Sequence, residues 1–283
     1  MIYILLPTYA RVEETKSFIE SIYDSINENF MIIIIDDHPE NITYRSLRKD
    51  INIKIYKPEK ELWWVGSINK GIKVLLEDIK ILDDDIIIFA NNDVIINKKC
   101  FLEIINILDE DEIQIVHPRT LDYENNELSS GTKIYSFFPY ITMHPKNFVA
   151  KKYQIDTGTA RFLSFKGIVL KKVGYINNNL LQYGGDNDFT LRATKLFDIK
   201  CYILRDAFCR LNDNDTGMKS YNIVTIKELL SSFKSIKSPN NIYFRYEQYR
   251  NVYNGFYAFF IVVSLTLNSF LKFIYYSFKR NIL

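Results

Sequence analysis

Short apolar runs alternate with amphipathic stretches along the N-terminal third of this chain. Ile2–Leu6, Met31–Ile35, Ile51–Tyr56 and Ile86–Ala90 are rich in β-branched residues and bounded by polar or turn residues. Runs of this kind predict strands buried on both faces of a mostly parallel sheet. Between them, Glu13–Asn27, Thr43–Lys49 and Val65–Ile79 predict helices; in the first, Phe18, Ile22 and Ile26 recur at helical spacing. Strand–helix alternation predicts an open α/β sheet flanked by helices. Further on, Asn97 is an N-cap candidate for a helix over Lys98–Leu108, and Ile113–His117 predicts a strand. Residues 120–160 mix turn residues, aromatics and Lys, and predict hairpins and a loop over the ligand edge. Phe165–Val173 predicts a helix ending near Gly174. Asp188–Leu196 predicts another, with Asp186 at its entrance, and Lys200–Leu204 a strand.

Composition narrows the class. Apolar residues make up 47% and charged residues 25% of 283 residues, which excludes a mainly disordered chain. Net charge is 36 − 34 = +2, unevenly spread. Residues 1–218 hold 27 basic and 32 acidic residues (−5), and residues 219–283 hold nine and two (+7). A basic tail on an acidic body suggests an anionic surface as partner. A membrane fits better than nucleic acid, because the same region is the most apolar. Cys100, Cys201 and Cys209 have no CxxC spacing and make no disulfide framework, so a reducing compartment is expected. His38, His117 and His144 are isolated and read as structural. Ile2–Leu6 is too short for a secretory signal and is followed by Pro7, Arg11, Glu13 and Glu14. The expected location is cytoplasmic, peripheral on the inner face of the membrane.

Open α/β sheets bind ligands at the C-terminal edge of their strands. That edge carries Pro7-Thr8, Asp36-Asp37 and Asn91-Asn92-Asp93. GxGxxG is missing from the first turn, which disfavours a dinucleotide oxidoreductase, and GxxxxGK[ST] is absent from the chain. Asp93 reads either as an oxygen ligand for Mg²⁺ or Mn²⁺ on a diphosphate or as an Asx-turn cap. Asp36 and Asp37 read either as acceptors for a nucleobase or ribose or as a helix-start pair. In Gly184-Gly185-Asp186-Asn187-Asp188-Phe189 the glycines permit close approach of a ligand, and Asp186 is either a general base or an N-cap. Asp83-Asp84-Asp85 precedes its strand, sits at the opposite edge, and is expected to be a solvated loop.

Five segments, in order, resemble the inverting glycosyltransferases of family two, over roughly residues 1–210. Leu5-Leu6-Pro7-Thr8-Tyr9-Ala10-Arg11 is similar to the opening strand and nucleotide loop, and Ile34-Ile35-Asp36-Asp37 to the second-strand Asp that contacts the base. Leu62 to Ile72, with Trp64, Gly66, Asn69 and Gly71, resembles the Gly-x-x-x-Asn-x-Gly helix lead. Asn91-Asn92-Asp93-Val94 resembles a variant Asp-x-Asp motif, and Gly167 through Arg192 the acceptor-side block. The Trp63-Trp64 pair with Asn-Asn-Asp is most like bacterial rhamnosyl- and related transferases of surface polysaccharide synthesis. The resemblance implies a GT-A fold over 1–215. It also implies a nucleotide-sugar donor held by Pro7, Thr8, Tyr9, Arg11, Asp36, Asp37, Trp64, Gly66, Asn69, Asn91 and Asn92. Asp93 would bind Mg²⁺ or Mn²⁺, and Asp186 would deprotonate a hydroxyl of a glycan or lipid-linked acceptor. Gly185, Asp188 and Arg192 would lie on the acceptor side. Two departures stand out. Gly185 replaces the usual acidic residue, and no His follows the last core strand, where Asn212 or Asp213 are substitute oxygen ligands. The competing readings are a nucleotidyltransferase, whose first loop would want more than Arg11, and a glycosyltransferase-like protein that binds without turnover.

The C-terminal region, 216–283, is basic, apolar and predicted helical. Phe256–Leu267 is its purest stretch, shorter than the roughly 20 residues that span a bilayer. Ser264, Asn268, Lys272 and Lys279 fall mostly at i, i+4 spacing, a polar stripe that suits a helix lying in the membrane interface, aided by Arg245, Arg250 and Arg280. The alternatives are a helix packed on the catalytic domain and a homodimerisation helix.

Overall fold

The computed structural model describes residues 1–47, 50–137, 139–145, 148–211 and 223–282. The first half alternates as expected: β1 (Ile2–Thr8), α1 (Val12–Ser25), β2 (Phe30–Asp36), α2 (Ile42–Ser46), β3 (Ile53–Tyr56), α3 (Trp63–Lys73) running into a π-helical turn at Val74–Ile79, and β4 (Ile86–Ala90). Then come β5 (Val94–Ile95), α4 (Lys98–Leu108), β6 (Gln114–Leu121), β7 (Glu127–Leu128), β8 (Gly131–Phe137), β9 (Tyr140–Met143), β10 (Lys152–Ile155), β11 (Thr157–Gly158) and β12 (Phe162–Lys166). The chain continues through α5 (Gly167–Val173), α6 (Gly185–Leu196), β13 (Lys200–Leu211), α7 (Ile226–Ser232), α8 (Ile242–Arg250) and α9 (Gly255–Ile282). Asn97 caps α4, its side chain accepting from the Cys100 amide at 2.9 Å.

The main sheet runs β10-β13-β6-β12-β4-β1-β2-β3. Strands β3, β2, β1 and β4 are parallel, and so are β13 and β6. Strand β12 lies antiparallel between β4 and β6, and β10 antiparallel on β13. Phe165 and Lys166 therefore belong to a central strand, whereas sequence periodicity assigns them to a helix. Five residues buried between two neighbours offer no period to tell strand from helix. Successive side chains of β1 serve opposite faces: Leu5 joins the core under α3, α5 and α6, while Ile4 and Leu6 join the one under α1 and α4. Phe89, Phe165 and Phe189 pack at centroid distances of 5.0–5.2 Å in the first core. Gly71 lets α3 lie close on the sheet, since a Cβ there would stand 3.0 Å from Leu5.

Strand β1 pairs with β2 on one side and β4 on the other, so the chain reverses its direction of winding at β1/β4. That switch point opens a crevice at the C-terminal ends of the two strands. The opposite edge holds the Asp83-Asp84-Asp85 run. Asp83 pairs with Lys171, but Asp85 is buried, not solvated: it accepts from the Leu82 amide at 2.7 Å and pairs with the Met1 ammonium at 3.2 Å.

The C-terminal helices pack on this body. The Glu247 carboxylate of α8 accepts from Asn179 at 2.8 Å and pairs with Arg250, and the Asn177 side chain donates to the Glu247 carbonyl. Ala258 and Ile261 of α9 are buried with Tyr140, Leu191 and Tyr249. The expected polar stripe on α9 divides: Ser264 turns inward and accepts from the Tyr140 amide at 2.9 Å, while Asn268, Lys272 and Lys279 are exposed. Arg245 is drawn into the seam between α8 and α9, donating to the Pro239 carbonyl, Asn240 and Ser269.

Candidate active site

A cavity of about 560 Å³ opens at the β1/β4 switch point. Pro7, Thr8, Tyr9 and Arg11 from the end of β1 form one wall, and Asn91, Asn92 and Asp93 after β4 form another. Asp37, Glu61, Trp63, Trp64 and Ser67 enclose it from the β2 edge and the start of α3; Gln182, Tyr183 and Lys237 complete the rim.

The chain is held in unusual conformations around this space. Ala10 and Trp63 have φ of 54° and 60°, a left-handed region that costs any bulky side chain free energy. The Asp37 carboxylate holds the Trp63 turn in place, accepting from the Leu62 and Trp63 amides at 2.7 and 2.8 Å. The Trp64 indole N–H donates to Asn91 Oδ1 at 3.1 Å and ties α3 to the turn after β4. Asn92 is buried and donates to Thr15 Oγ1 at 3.0 Å, fixing the same turn against α1.

Asp93 Oδ2 pairs with Arg11 Nη1 at 3.1 Å. Burial pushes the Asp93 carboxyl above the ordinary carboxylate range, and the Arg11 guanidinium pulls it back. Its other oxygen, Oδ1, is buried without a partner, as are Thr8 Oγ1 and Ser67 Oγ. Buried polar atoms are normally hydrogen-bonded, so three orphans around one cavity mark places where a ligand or ion supplies the missing contact. The described residues contain no group of three or more His, Cys, Asp or Glu side chains arranged to hold a metal. Asp93 alone, with diphosphate oxygens and water, fits the habit of Mg²⁺-type ions, which bind through one or two carboxylates and substrate phosphates.

Of the residues predicted to bind donor, Pro7, Thr8, Tyr9, Arg11, Asp37, Trp64, Asn91 and Asn92 all line the cavity. Asp36 does not. It is wholly buried, and its carboxylate accepts from the His38 and Tyr44 amides, closing the turn after β2. Gly66 and Asn69 also lie outside the lining. Asn69 is a packing tie from α3: it accepts from the Ile176 amide and donates to the Ile176 carbonyl and to Asn178, all within 2.7–2.9 Å. A Cβ at Gly66 would stand 2.9 Å from Leu62 Cβ, so its role is the tight first turn of α3.

On the acceptor side, Asp186 sits in the first turn of α6. Its Oδ1 accepts from the Asn187 amide at 2.8 Å and its Oδ2 from the Ala160 amide at 3.3 Å. Burial raises its carboxyl above the ordinary range against the pull of those amides. Asp186 is not among the residues that line the cavity, although Gln182 and Tyr183, shortly before it in the chain, are. Asp188 and Arg192 do not form an acceptor surface. Asp188 is fully buried and bound to Arg192 at 2.9–3.0 Å, and Arg192 donates to the Val173 and Tyr175 carbonyls, locking α6 to the end of α5. Gly185 has a steric cause. A Cβ there would stand 2.6 Å from Val65 and 2.9 Å from the Trp64 ring, so Trp64 occupies the space an acidic side chain would need. Asn212 and Asp213 lie outside the described residues.

Sequence reasoning missed Glu61, Ser67, Gln182, Tyr183 and Lys237, and singled out Trp63 only as part of the Trp63-Trp64 pair, not as a donor-site residue. Gln182 and Tyr183 stand immediately before Gly184-Gly185-Asp186, a position that could have marked them. Lys237 comes from the turn between α7 and α8, and nothing local signals it.

A crevice at the switch point of a mostly parallel sheet, lined by a β1 loop and by a turn after β4 with one available carboxylate, fits the GT-A glycosyltransferase class. The comparisons agree. A model of the family "Glycosyl transferase family 2" matches residues 3–172, so the chain belongs to that family. Among solved structures, GalNAc-T7 with UDP, GalNAc and Mn²⁺ superposes with a TM-score of 0.57 at 9% identity, over 78% of this chain and 46% of that one. The mannosyltransferase PcManGT from Pyrobaculum calidifontis, in complex with GDP-Man and Mn²⁺, superposes with a TM-score of 0.54 at 10% identity, over 95% of this chain and 74% of that one. At these identities the likeness is one of fold. No curated protein sequence matches the chain.

Proposed function

We propose that this protein transfers a sugar, with inversion, from a nucleoside-diphosphate donor to a hydroxyl on a glycan or lipid-linked acceptor. The observation that carries the reading is the unpartnered Asp93 Oδ1 in a cavity at the switch point. The donor occupies that cavity. Asp37, which faces it, takes the base-side role that sequence resemblance gave to Asp36. Arg11 and Lys237 face the diphosphate. Two cations against Asp37, Glu61 and Asp93 leave the lining short of positive charge for a diphosphate, which favours entry of the donor with a divalent cation. Asp93 would hold Mg²⁺ or Mn²⁺, and the ion would neutralise charge developing on the leaving diphosphate. Asp186 takes the proton of the acceptor hydroxyl as its oxygen attacks the anomeric carbon, and the nucleoside diphosphate leaves from the opposite face. Its raised carboxyl still has to be ionised to act, so the acid limb of kcat/KM lies at higher pH than for an ordinary carboxylate. Three buried thiols fit a reducing compartment, which supports a cytoplasmic location.

Release of nucleoside diphosphate from a panel of nucleotide sugars with Mn²⁺ tests the reading. The likeness of Trp63-Trp64 to rhamnosyltransferases makes a nucleoside-diphosphate rhamnose the first donor to try. Asp186→Asn should lower acceptor-dependent release by about 10²–10⁴ while keeping donor binding. Pyrophosphate release from a nucleoside triphosphate would point to a nucleotidyltransferase. Donor binding without turnover would favour a binding protein, for which the Arg11 grip on Asp93 is the structural argument.

A further inference from the structure

α9 has two unlike faces. Ala258, Ile261, Val262 and Ser269 are buried against the body of the protein. On the other side Phe256, Phe259, Val263, Leu267, Leu271, Ile274 and Phe278 recur every three or four residues, a continuous stripe about 33 Å long at 1.5 Å per residue. These side chains face solvent: Phe256 is 68% exposed, Leu271 65% and Phe278 68%. Tyr257 and Tyr275 add amphipathic rings. An apolar surface of this extent is not an ordinary feature of a soluble surface.

Charge selects the occupant. Residues 255–282 contain no Asp or Glu, and Lys272 and Lys279 are exposed beside the stripe. A second copy would bring the same sign and no counter-charge from its own helix. An anionic lipid surface supplies both an apolar phase and the opposite charge. Gly255–Lys279 is long and apolar enough to cross a bilayer, with mean hydropathy 1.7. Its inner face forbids crossing, however. Ser264 holds the Tyr140 amide and Ser269 accepts from Arg245, so leaving the body for hydrocarbon would strand these partners.

We propose that α9 lies flat in the interface of an anionic membrane, its exposed stripe among the acyl chains, its opposite face still packed on the catalytic body, and Lys272 and Lys279 at the headgroups. The inference is independent of the catalytic reading and is tested without turnover. Full-length protein is sedimented with vesicles of about 30 mol% phosphatidylglycerol in phosphatidylcholine, and with phosphatidylcholine alone. It should bind the anionic vesicles more tightly, less so at high salt, and be released by an alkaline carbonate wash. Leu267→Glu/Leu271→Glu should need at least about tenfold more lipid for half-binding, with an unchanged circular dichroism spectrum and melting temperature, because both side chains point away from the core. Lys272→Gln/Lys279→Gln should bring anionic binding down towards the level on neutral vesicles. Four outcomes would overturn the proposal: no binding by the folded full-length chain, equal binding by the Glu variant, retention through carbonate, or a dimer in light scattering that dissociates in the Glu variant.

Discussion

Replacing Arg192 with Met separates a structural from an acceptor-binding role for the Asp188–Arg192 pair. Asp188 is 0% exposed. Its Oδ2 receives Arg192 Nε at 3.0 Å and Nη2 at 2.9 Å, and the Asn177 amide at 3.2 Å; its Oδ1 has no partner. Methionine can replace the aliphatic stem but not the guanidinium, so a buried carboxylate would be left with one backbone donor. Breaking a buried ion pair from one side costs about 3–5 kcal/mol, because the remaining charge is uncompensated. Against a typical total of about 5–15 kcal/mol this is a large fraction. At roughly 2–4 °C per kcal/mol for a domain of this size, the melting temperature should fall by about 6–20 °C. Urea unfolding followed by circular dichroism gives the free energy, and the fluorescence of Trp63 and Trp64 reports the cavity separately. Adding Asp188→Asn to Arg192→Met should recover at least about 1 kcal/mol, since it removes the stranded charge. If Arg192→Met unfolds within about 0.5 kcal/mol of the parent and instead raises the KM for acceptor, the packing argument is wrong and the pair belongs to the acceptor surface.

Asp93→Asn should abolish the extra thermal stabilisation that Mn²⁺ gives in the presence of a nucleotide sugar, and lower turnover by the several kcal/mol that a Lewis acid supplies; an unchanged Mn²⁺ effect would remove Asp93 from the metal. Gly185→Ala places a methyl group 2.6 Å from Val65 and 2.9 Å from Trp64, and should cost about 1–3 kcal/mol of stability. Because Trp64 lines the cavity, calorimetric titration should show nucleoside diphosphate binding weakening in parallel, and parent-like values in both would contradict the steric account. His117 is buried, donates from Nδ1 to the Pro118 carbonyl and accepts at Nε2 from Thr159 at 2.8 Å; burial lowers its pKa from 6.5 to about 3. The unfolded chain takes up this proton first, so the contribution is whole above pH 6.5 and is lost as pH falls from there towards 3. It is worth at most about 5 kcal/mol. The raised carboxyls of Asp93 and Asp186 act in the opposite sense, so the measurement is the difference between parent and His117→Gln unfolding curves across that window; parallel curves would show that His117 is not the linked group.

Much of the fold was legible because its rules are local. Three of the strands in the first half, β1, β2 and β4, carry runs of consecutive apolar residues, and only burial on both faces of a sheet makes such runs favourable. The start of α4 was readable from Asn97, because a cap acts within one turn. Strand β12 was not legible. Phe162-Leu163-Ser164-Phe165-Lys166 becomes a strand only because β4 and β6 lie on either side of it.

Sequence by itself determined which segments carry carboxylates to the C-terminal edge of the sheet, since strand direction follows from chain order. Tertiary structure decided which of those carboxylates is available. Asp36 and Asp37 are adjacent and each accepts from two backbone amides, yet only Asp37 lines the cavity. Asp186 and Asp188 share one helical turn, yet only Asp188 meets a guanidinium, because the α5 end lies on that side. Gly185 reads as a lost charge in the sequence and becomes a space requirement once Trp64 is seen against it. Ser264, Asn268, Lys272 and Lys279 form one stripe in the sequence but have different fates, since the Tyr140 amide takes Ser264 and the other three are left to solvent. In each case the free energy of a polar group depends on the partner and solvent at its tip, and these come from parts of the chain that local pattern does not reach.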